Sequence, residues 1–549
     1  MPEGPRVHDD PAWETFSETE YVILAVARTL TSAYRLLEAV EWFRDDFRIR
    51  LVFTVDATSA FSAGVHDLLR ASGVRLIAWD RVRQRAFRYH LALSASENID
   101  FDAIDAHTVL LPHGLGFNKL VPSATGPALR LAGLPPLHVL RAGRVTVTLS
   151  HPEQREQLLA VSPEAADRTE TVGDPTFDRL QASRALRDRY REALGTGDRT
   201  LVTVASTWGR QSVIGRWHGL PVQLLGALDA DSYQVVLVLH PNVWAYYGAF
   251  QITVWLSSAL DAGLILMPPE SGWHAALIAA DQVISDHGSL GLFAASLDRP
   301  LLMTGRAPET VPGTPTDELA NCVPVLRPGG DLRKQLEAAR EQYRAGQYAH
   351  ITERVFAHVG DATRNVQHLI YRTLGLTPLE HPRLLTRIPI PHCRARSITS
   401  HVVRVTAISG PALTLERIPA AVWHYADGDE CHETHVVADE SESDPKIIER
   451  AAAVTRATVQ DSPKAHRWAR SMLSTYPGAR LAVAAIPQGY LAVVRDGATV
   501  HAVTESENPR EIQLLASAMY YRLIDRSLPD RLSIHAGSST VDVTFTTAE

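Results

Sequence analysis

From residue 21 to about residue 376 the chain keeps one rhythm, a short apolar run followed by a helical segment. The runs are YVILAVA, IRLVFTVD, VRLIAWD, TVLLPHG, VTVTLS, TLVTVAST, YQVVLVLHP, GLILMPP, QVISDHG, PLLMTG and CVPVLRP. They are apolar along their length rather than alternating, as strands covered on both faces are, and such strands belong to parallel sheets. Segments such as TSAYRLLEAVEWF and GVHDLLRAS supply the crossover helices that parallel strands require. The pattern predicts α/β, doubly wound parallel sheets.

So many strands are too many for one compact sheet. The stretch 173–200 divides them: VGDPTFDRL brings Gly173 and Pro175, and SRALRDRYREALGTGDRT is a charged helix ending in a Gly-rich turn. The reading is an N-terminal tail, 1–18, then two Rossmann-like domains, 19–180 and 181–376, facing across a cleft. Open α/β sheets bind ligands at the carboxyl ends of their strands, so two facing sheets would bring two such edges to one crevice.

Beyond Gly375 the texture changes. Residues 377–396 are Pro-rich and basic and read as a linker, and 397–549 read as a smaller α+β domain of unassigned role. In that domain HVVRVTAI and ALTLERI suit strands, while DPKIIERAAAVTRATVQ and SPKAHRWARSMLS suit helices. RLAVAAIP, GYLAVVRDG and TVHAVTE suit a meander turning at Asp496-Gly497. NPREIQLLASAMYYRLIDRSL suits a closing helix capped by Asn508.

A formal charge of −8 and a pI near 6.3 argue against a general nucleic-acid binder. Cys322, Cys393 and Cys431 are too few and too scattered for a disulfide framework, which points to a reducing compartment. No basic and apolar leader opens the chain, and no apolar run approaches the roughly 20 residues that span a bilayer. A cytoplasmic protein is expected. Arg383, Arg387, Arg394 and Arg396 on the linker, with the C-terminal domain, leave room for a peripheral membrane or protein partner.

Polar residues gather where strands should end. SDHGS, Ser285 to Ser289, passes from an apolar strand into a helix. The first amides of a helix lack intrahelical partners, so Gly288 and Ser289 could present them to a phosphate, and Asp286 or Ser289 could equally be an ordinary cap. LLPHGLGFNKL ends a strand with His113, then Gly114 and Lys119. VTVASTWGRQS ends one with Thr207 and Arg210, and VVLVLHPN ends one with His240. Each is unremarkable alone; together they mark a functional cleft. His274 in GWHAALIAAD and His218 in WHGLP could line it or simply pack and cap. Trp423 to His435, WHYADGDECHETH, holds zinc-type ligands but no paired cysteines, and reads as a polar hairpin rather than a metal site. There is no P-loop, G-x-G-x-x-G, G-x-S-x-G or H-E-x-x-H, which removes kinase, nicotinamide dehydrogenase, hydrolase and zincin readings.

In order, these motifs resemble the CDP-glycerol glycerophosphotransferases of teichoic acid synthesis, GT-B proteins. HGLGFNK resembles that family's HG-T-x-L-K segment, GDPTFD its G-N-P-R-x-D hinge, TWGR its T-W-R segment, His240-Pro241 its H-P, and SDHGS its S/T-D-Y-S-S turn. The resemblance covers roughly two-thirds of the chain and excludes 397–549. It implies a GT-B fold and transfer of a glycerophosphate or glycosyl unit from a nucleotide-diphosphate donor to a hydroxyl acceptor. His113 would be the base. Gly114, Lys119, Thr207, Arg210, His240, Ser285, Asp286, His287, Gly288 and Ser289 would hold substrate. No divalent metal and no separate cofactor are implied. The chain departs from the family where Phe293 stands in place of an acidic residue, which leaves the donor open. SDHGS is also similar to the S-D-S-G-G turn of nucleotide-sugar epimerases. A catalytically silent binding protein is the third reading.

Overall fold

The apolar runs form two separate parallel sheets. The structure, a computed structural model, describes residues 20–122, 129–380, 385–425, 434–504, 511–524 and 528–547. The first sheet contains β1 (Tyr21–Ala27), β2 (Ile49–Val55), β3 (Leu91–Ser94) and β4 (Thr108–Leu110). A hairpin of β5 (Leu120–Pro122) and β6 (Leu129–Leu131) stands apart, and β7 (Val145–Leu149) and β8 (Thr169–Thr171) complete the sheet. Its order is β2-β1-β3-β4-β7-β8, all parallel. The second sheet holds β9 (Thr200–Ser206), β10 (Tyr233–Leu239), β11 (Ile265–Met267), β12 (Gln282–Ser285) and β13 (Leu301–Met303) in the order β11-β10-β9-β12-β13, again all parallel.

In each sheet the chain winds one way and then reverses. The reversals lie between β1 and β3 and between β9 and β12, and at such points the following loops part to leave a crevice. The two carboxyl edges face each other, which is the GT-B architecture. Two expected strands are reduced to single bridges: VRLIAWD pairs only at Leu76 with Phe53, and CVPVLRP only at Val325 with Met303. β3 and β8, which the apolar runs did not announce, both join the first sheet.

The helix Ala362–Leu374 departs from the expected division. It lies within 181–376, yet Val366, Leu369, Ile370 and Tyr371 pack in the core of the first sheet with Ile23, Phe53 and Leu93. Residues 385–396, expected as a linker, are laid along the second domain. Ile388 is 3% exposed, its N–H donates to Ser183 Oγ at 2.9 Å, and its carbonyl accepts the Tyr190 hydroxyl at 2.7 Å.

The C-terminal domain, expected as α+β, is a closed β-barrel with helices. Its strands are β14 (Ser400–Ser409), β15 (Ala412–Pro419), β16 (Thr434–Asp439), β17 (Ala453–Arg456) and β18 (Leu481–Ile486), then β19 (Gly489–Val494), β20 (Thr499–Thr504), β21 (Arg531–Ala536) and β22 (Ser539–Thr547). They close in the order β14-β15-β21-β22-β20-β19-β18-β17-β16. The expected closing helix, described over Glu511–Ile524, packs within the barrel against inward residues of all these strands, and two strands follow it. Every residue from Glu511 to Met519 is buried, as an element surrounded on all sides must be. Its expected cap, Asn508, lies outside the described residues. The helix expected over DPKIIERAAAVTRATVQ stops at Arg450, and Ala453–Arg456 is β17. The barrel docks on the second domain through Arg417, whose Nε donates to Asp231 at 2.7 Å, and through Val422, buried in that domain's core. No described barrel residue lines the cleft.

Candidate active site

The second sheet's crevice is organised by one carboxylate. Asp286, just past β12, is 1% exposed. Its Oδ2 accepts from Thr207 N–H and Oγ1–H at 2.9 Å each and from Val213 N–H at 2.8 Å, and its Oδ1 accepts from Gly288 N–H at 2.9 Å. The carboxylate therefore ties together the loops on either side of the reversal. A Cβ at Gly288 would lie 2.1 Å from Thr207 Cγ2, so only glycine lets the turn pass. Neither Asp286 nor Ser289 caps the helix Ser289–Ser296. Gly288 is the N-cap, and no side chain bonds to the first turn. The helix start opens instead into a cavity of about 310 Å³ between the domains, lined by Ser285, His287, Gly288 and Ser289.

The first domain meets that helix start directly. The loop after β4 carries His113, and Leu115 N–H donates to Ser289 Oγ at 3.0 Å. A Cβ at Gly114 would lie 2.9 Å from the same oxygen. His113 Nδ1 donates to the carbonyl of Ala95 at 3.2 Å. Because a carbonyl can only accept, this fixes the proton on Nδ1 of the neutral ring and leaves Nε2 as a lone pair. Glu97 is buried nearby. Burial pushes its carboxyl up, but the charge of His113, backbone N–H groups and Arg130 outweigh this and hold it below the usual range. An anion is therefore in place to support a charged His113.

His240 has the opposite tautomer. It opens the helix Pro241–Trp255, and its Nδ1 accepts Asn242 N–H at 3.1 Å, so the neutral ring carries its proton on Nε2. Burial, with His113 and Lys119 close by, lowers its pKa to about 3. His240 is thus a neutral donor where His113 is an acceptor, and both line the cavity.

Lys119 lies 3.3 Å from His287 Nε2 and 3.6 Å from Glu309 Oε1, and its ammonium sits 5.3 Å from the Trp208 ring centroid. The two domains also share backbone bonds here, Leu120 N–H to Glu309 O at 2.7 Å and Val311 N–H to Asn118 O at 3.0 Å. The cleft is closed by a strip of sheet as well as by side chains.

Of the residues singled out from sequence, His113, Gly114, Lys119, Thr207, His240 and Ser285 to Ser289 all line the one cavity. Arg210 does not. Gly209, at φ 85°, turns the chain away, and Arg210 is exposed outside the cavity. His274 lines the cavity and His218 does not. Sequence reasoning missed Glu309, in a loop without periodicity, and the pair Arg35 and Glu38, which reads as an ordinary surface i,i+3 pair yet faces the cavity. Among the described residues no three His, Cys, Asp or Glu side chains form a metal-type group. Asp427, Asp429, Cys431 and His432 of the polar hairpin fall outside the described residues. No described helix is long and apolar enough to cross a membrane.

No family model matches the chain, and no curated protein matches it. Solved structures do. The wall teichoic acid polymerase TagF aligns at 13% identity over 66% of this chain and 91% of its own, with a TM-score of 0.44. A glycosyltransferase from Rickettsia africae ESF-5 aligns at 10% identity over 65% of this chain and 100% of its own, with a TM-score of 0.38. The UDP-GlcNAc 2-epimerase from Neisseria meningitidis, bound to UDP-GlcNAc, aligns at 14% identity over 64% and 99%, with a TM-score of 0.40. The architecture itself stands on the strand orders and registers given above.

Proposed function

We propose that this chain is a GT-B transferase that moves a glycerophosphate or glycosyl unit from a nucleotide-diphosphate donor to a hydroxyl acceptor. The observation that carries the reading is the pairing of two histidines of opposite tautomer in one cavity, with an uncapped helix start beside them.

Such a transfer needs a base for the acceptor hydroxyl and positive dipoles for the departing phosphate. His113 Nε2 takes the hydroxyl proton. The acceptor oxygen bonds to the transferred unit while that unit's bond to the nucleotide phosphate oxygen breaks. The negative charge left on the phosphate meets His240 Nε2–H, the Lys119 ammonium and the amides that open the helix Ser289–Ser296. Glu97 supports the imidazolium formed at His113. Thr207 and Asp286 shape the turn. Because the protein's own groups meet the leaving charge, the proposed reaction uses no divalent metal.

The test begins with melting temperatures in the presence of CDP, UDP and GDP, followed by donor turnover with His113→Ala. A rise with one nucleotide, and turnover that falls by about 10²-fold or more in the variant, support the transferase. No nucleotide response, or full turnover without the imidazole, overturns it. An epimerised sugar nucleotide as product, with no transfer, would assign the site to an epimerase instead.

A further inference from the structure

One face of the molecule is aromatic and open to solvent. It starts at Trp208 on the rim of the cleft cavity and runs outward over Phe61, Tyr246 and Tyr247 to Trp255. Ring centroids follow one another at 5.0 Å from Trp208 to Phe61, 6.3 Å to Tyr246, 4.8 Å to Tyr247 and 4.8 Å to Trp255. Phe250 is 83% exposed, Tyr246 65% and Trp255 59%. Single apolar side chains on a surface need no explanation, but a connected patch of rings does.

Four of these rings belong to the helix Pro241–Trp255. That helix is broken at Gly248, whose φ of 76° and ψ of 153° suit glycine alone, and Phe250 stands just past the break. A Cβ at Gly248 would meet nothing within 4 Å, so the bend requires the glycine and packing does not. Residues 232–260 hold no Asp, Glu, Lys or Arg, and neither do residues 57–65 around Phe61. Charge begins at the edge, with Arg28, whose Nε donates to Thr58, and with Arg210, two residues past Trp208. A charge-free centre inside a charged rim is the anatomy of a protein interface.

Area and charge select the occupant. At about 200 Å² for a whole aromatic side chain, the exposed fractions of Trp208, Tyr246, Tyr247, Phe250 and Trp255 leave roughly 600 Å² of ring surface. A standard interface takes about 800 Å² from each partner, and homodimer interfaces are about 65% apolar, so roughly 520 Å² of apolar surface is needed. The patch supplies it. The chain carries a formal charge of −8, so two copies repel unless they meet where neither is charged. This face meets that condition. A bilayer also takes up exposed aromatics, but the helix Pro241–Trp255 has none of the lysine or arginine that surface-bound helices carry, and the acidic chain is repelled by anionic lipid.

We propose that this face joins two copies of the chain across a two-fold axis, with Phe250 and Trp255 in the middle of the contact. A two-fold contact sets the same patch against itself, which an uncharged aromatic surface satisfies. The patch reaches Trp208, so each cleft opens beside the partner copy. The dimer does not depend on the transferase reading.

The experiment is sedimentation velocity on the full-length protein. The wild type sediments as a dimer, with a dissociation constant in the micromolar range or tighter. Phe250→Glu and Trp255→Glu each raise that constant by about 30-fold or more, the scale of losing one aromatic anchor. Both side chains face solvent in the single chain, so both variants keep the wild-type circular dichroism. Val459→Glu, at a position 60% exposed on the C-terminal domain and away from the patch, stays dimeric. A wild type that remains monomeric at about 50 µM overturns the proposal. So does a dimer that ignores both Phe250→Glu and Trp255→Glu. Flotation with neutral and with anionic vesicles completes the test: a monomer that floats with vesicles, and ceases to in Phe250→Glu, assigns the face to a membrane and removes the second copy.

Discussion

Leu115 N–H donates across the cleft to Ser289 Oγ at 3.0 Å, so the loop of His113 and the start of the helix Ser289–Ser296 are a single hydrogen bond apart. The bond holds the proposed base against the proposed phosphate site. Removing the acceptor in Ser289→Ala costs about 1 kcal/mol of closure, the usual net worth of such a bond. Amide exchange at Leu115 should speed about fivefold, while Ile284 in β12 stays protected. Unchanged exchange at Leu115 would mean that the bond does not hold the cleft shut.

Gly288 is fixed by space rather than by backbone conformation, since its φ of −82° is open to any residue. In Gly288→Ala the new methyl would meet Thr207 Cγ2 and push Thr207 off Asp286. Overpacking of this kind costs about 1–3 kcal/mol. Thr207→Ser removes the obstructing methyl and keeps the hydroxyl. The double variant should recover most of the melting temperature lost in Gly288→Ala, a coupling that a purely additive pair would not show.

His240 serves through the proton on Nε2. Glutamine places an amide N–H near that position and alanine places nothing. His240→Gln should keep kcat within about tenfold of the wild type, whereas His240→Ala should lose about 10²-fold, the scale of one preorganised donor. Equal losses in the two variants would remove His240 from the charge-stabilising set. Addition of EDTA should leave the wild-type rate unaltered, because the Lys119 ammonium, the neutral His240 N–H and the helix start meet the leaving charge.

The parallel sheets were legible because burial on both faces writes continuous apolar runs, and β1, β9 and β10 are such runs. β3, also buried throughout, was overlooked, because Leu91–Ser94 is too short to stand out beside His90 and Ser96. The site residues at strand ends were legible for a topological reason: polar groups at a carboxyl edge face the crevice whatever the details of the turn. Arg210 went astray because one positive-φ glycine reverses a side chain's direction, and sequence spacing does not record that. Arg35 and Glu38 were hidden because a helix facing another domain looks, from its own sequence, like a helix facing water. The barrel was illegible for a similar reason. Closure depends on the parallel pairings of β15 with β21, β16 with β17 and β17 with β18, which no local pattern announces. The run Ile512–Met519, which carries no charged residue on any face, was the one local clue to a helix enclosed on all sides.

Inside that barrel, His435 offers a test of stability. It is 8% exposed, its Nε2 has no partner, and its ring lies 4.7 Å from that of Tyr520 on the enclosed helix. Burial lowers its pKa from 6.5 to about 4. Between those two values the unfolded chain binds a proton that the native barrel refuses. Stability is therefore complete above about pH 6.5 and falls as pH drops toward 4, by at most about 1.4 kcal/mol per unit. Imidazole NMR should show His435 still neutral at pH 5. The barrel's thermal transition should move down between pH 7 and pH 5 by several degrees more in the wild type than in His435→Gln, which has nothing to protonate. A ring that titrates near 6.5, or identical pH slopes in the two proteins, would place His435 in contact with water and remove it from the acid sensitivity of the domain.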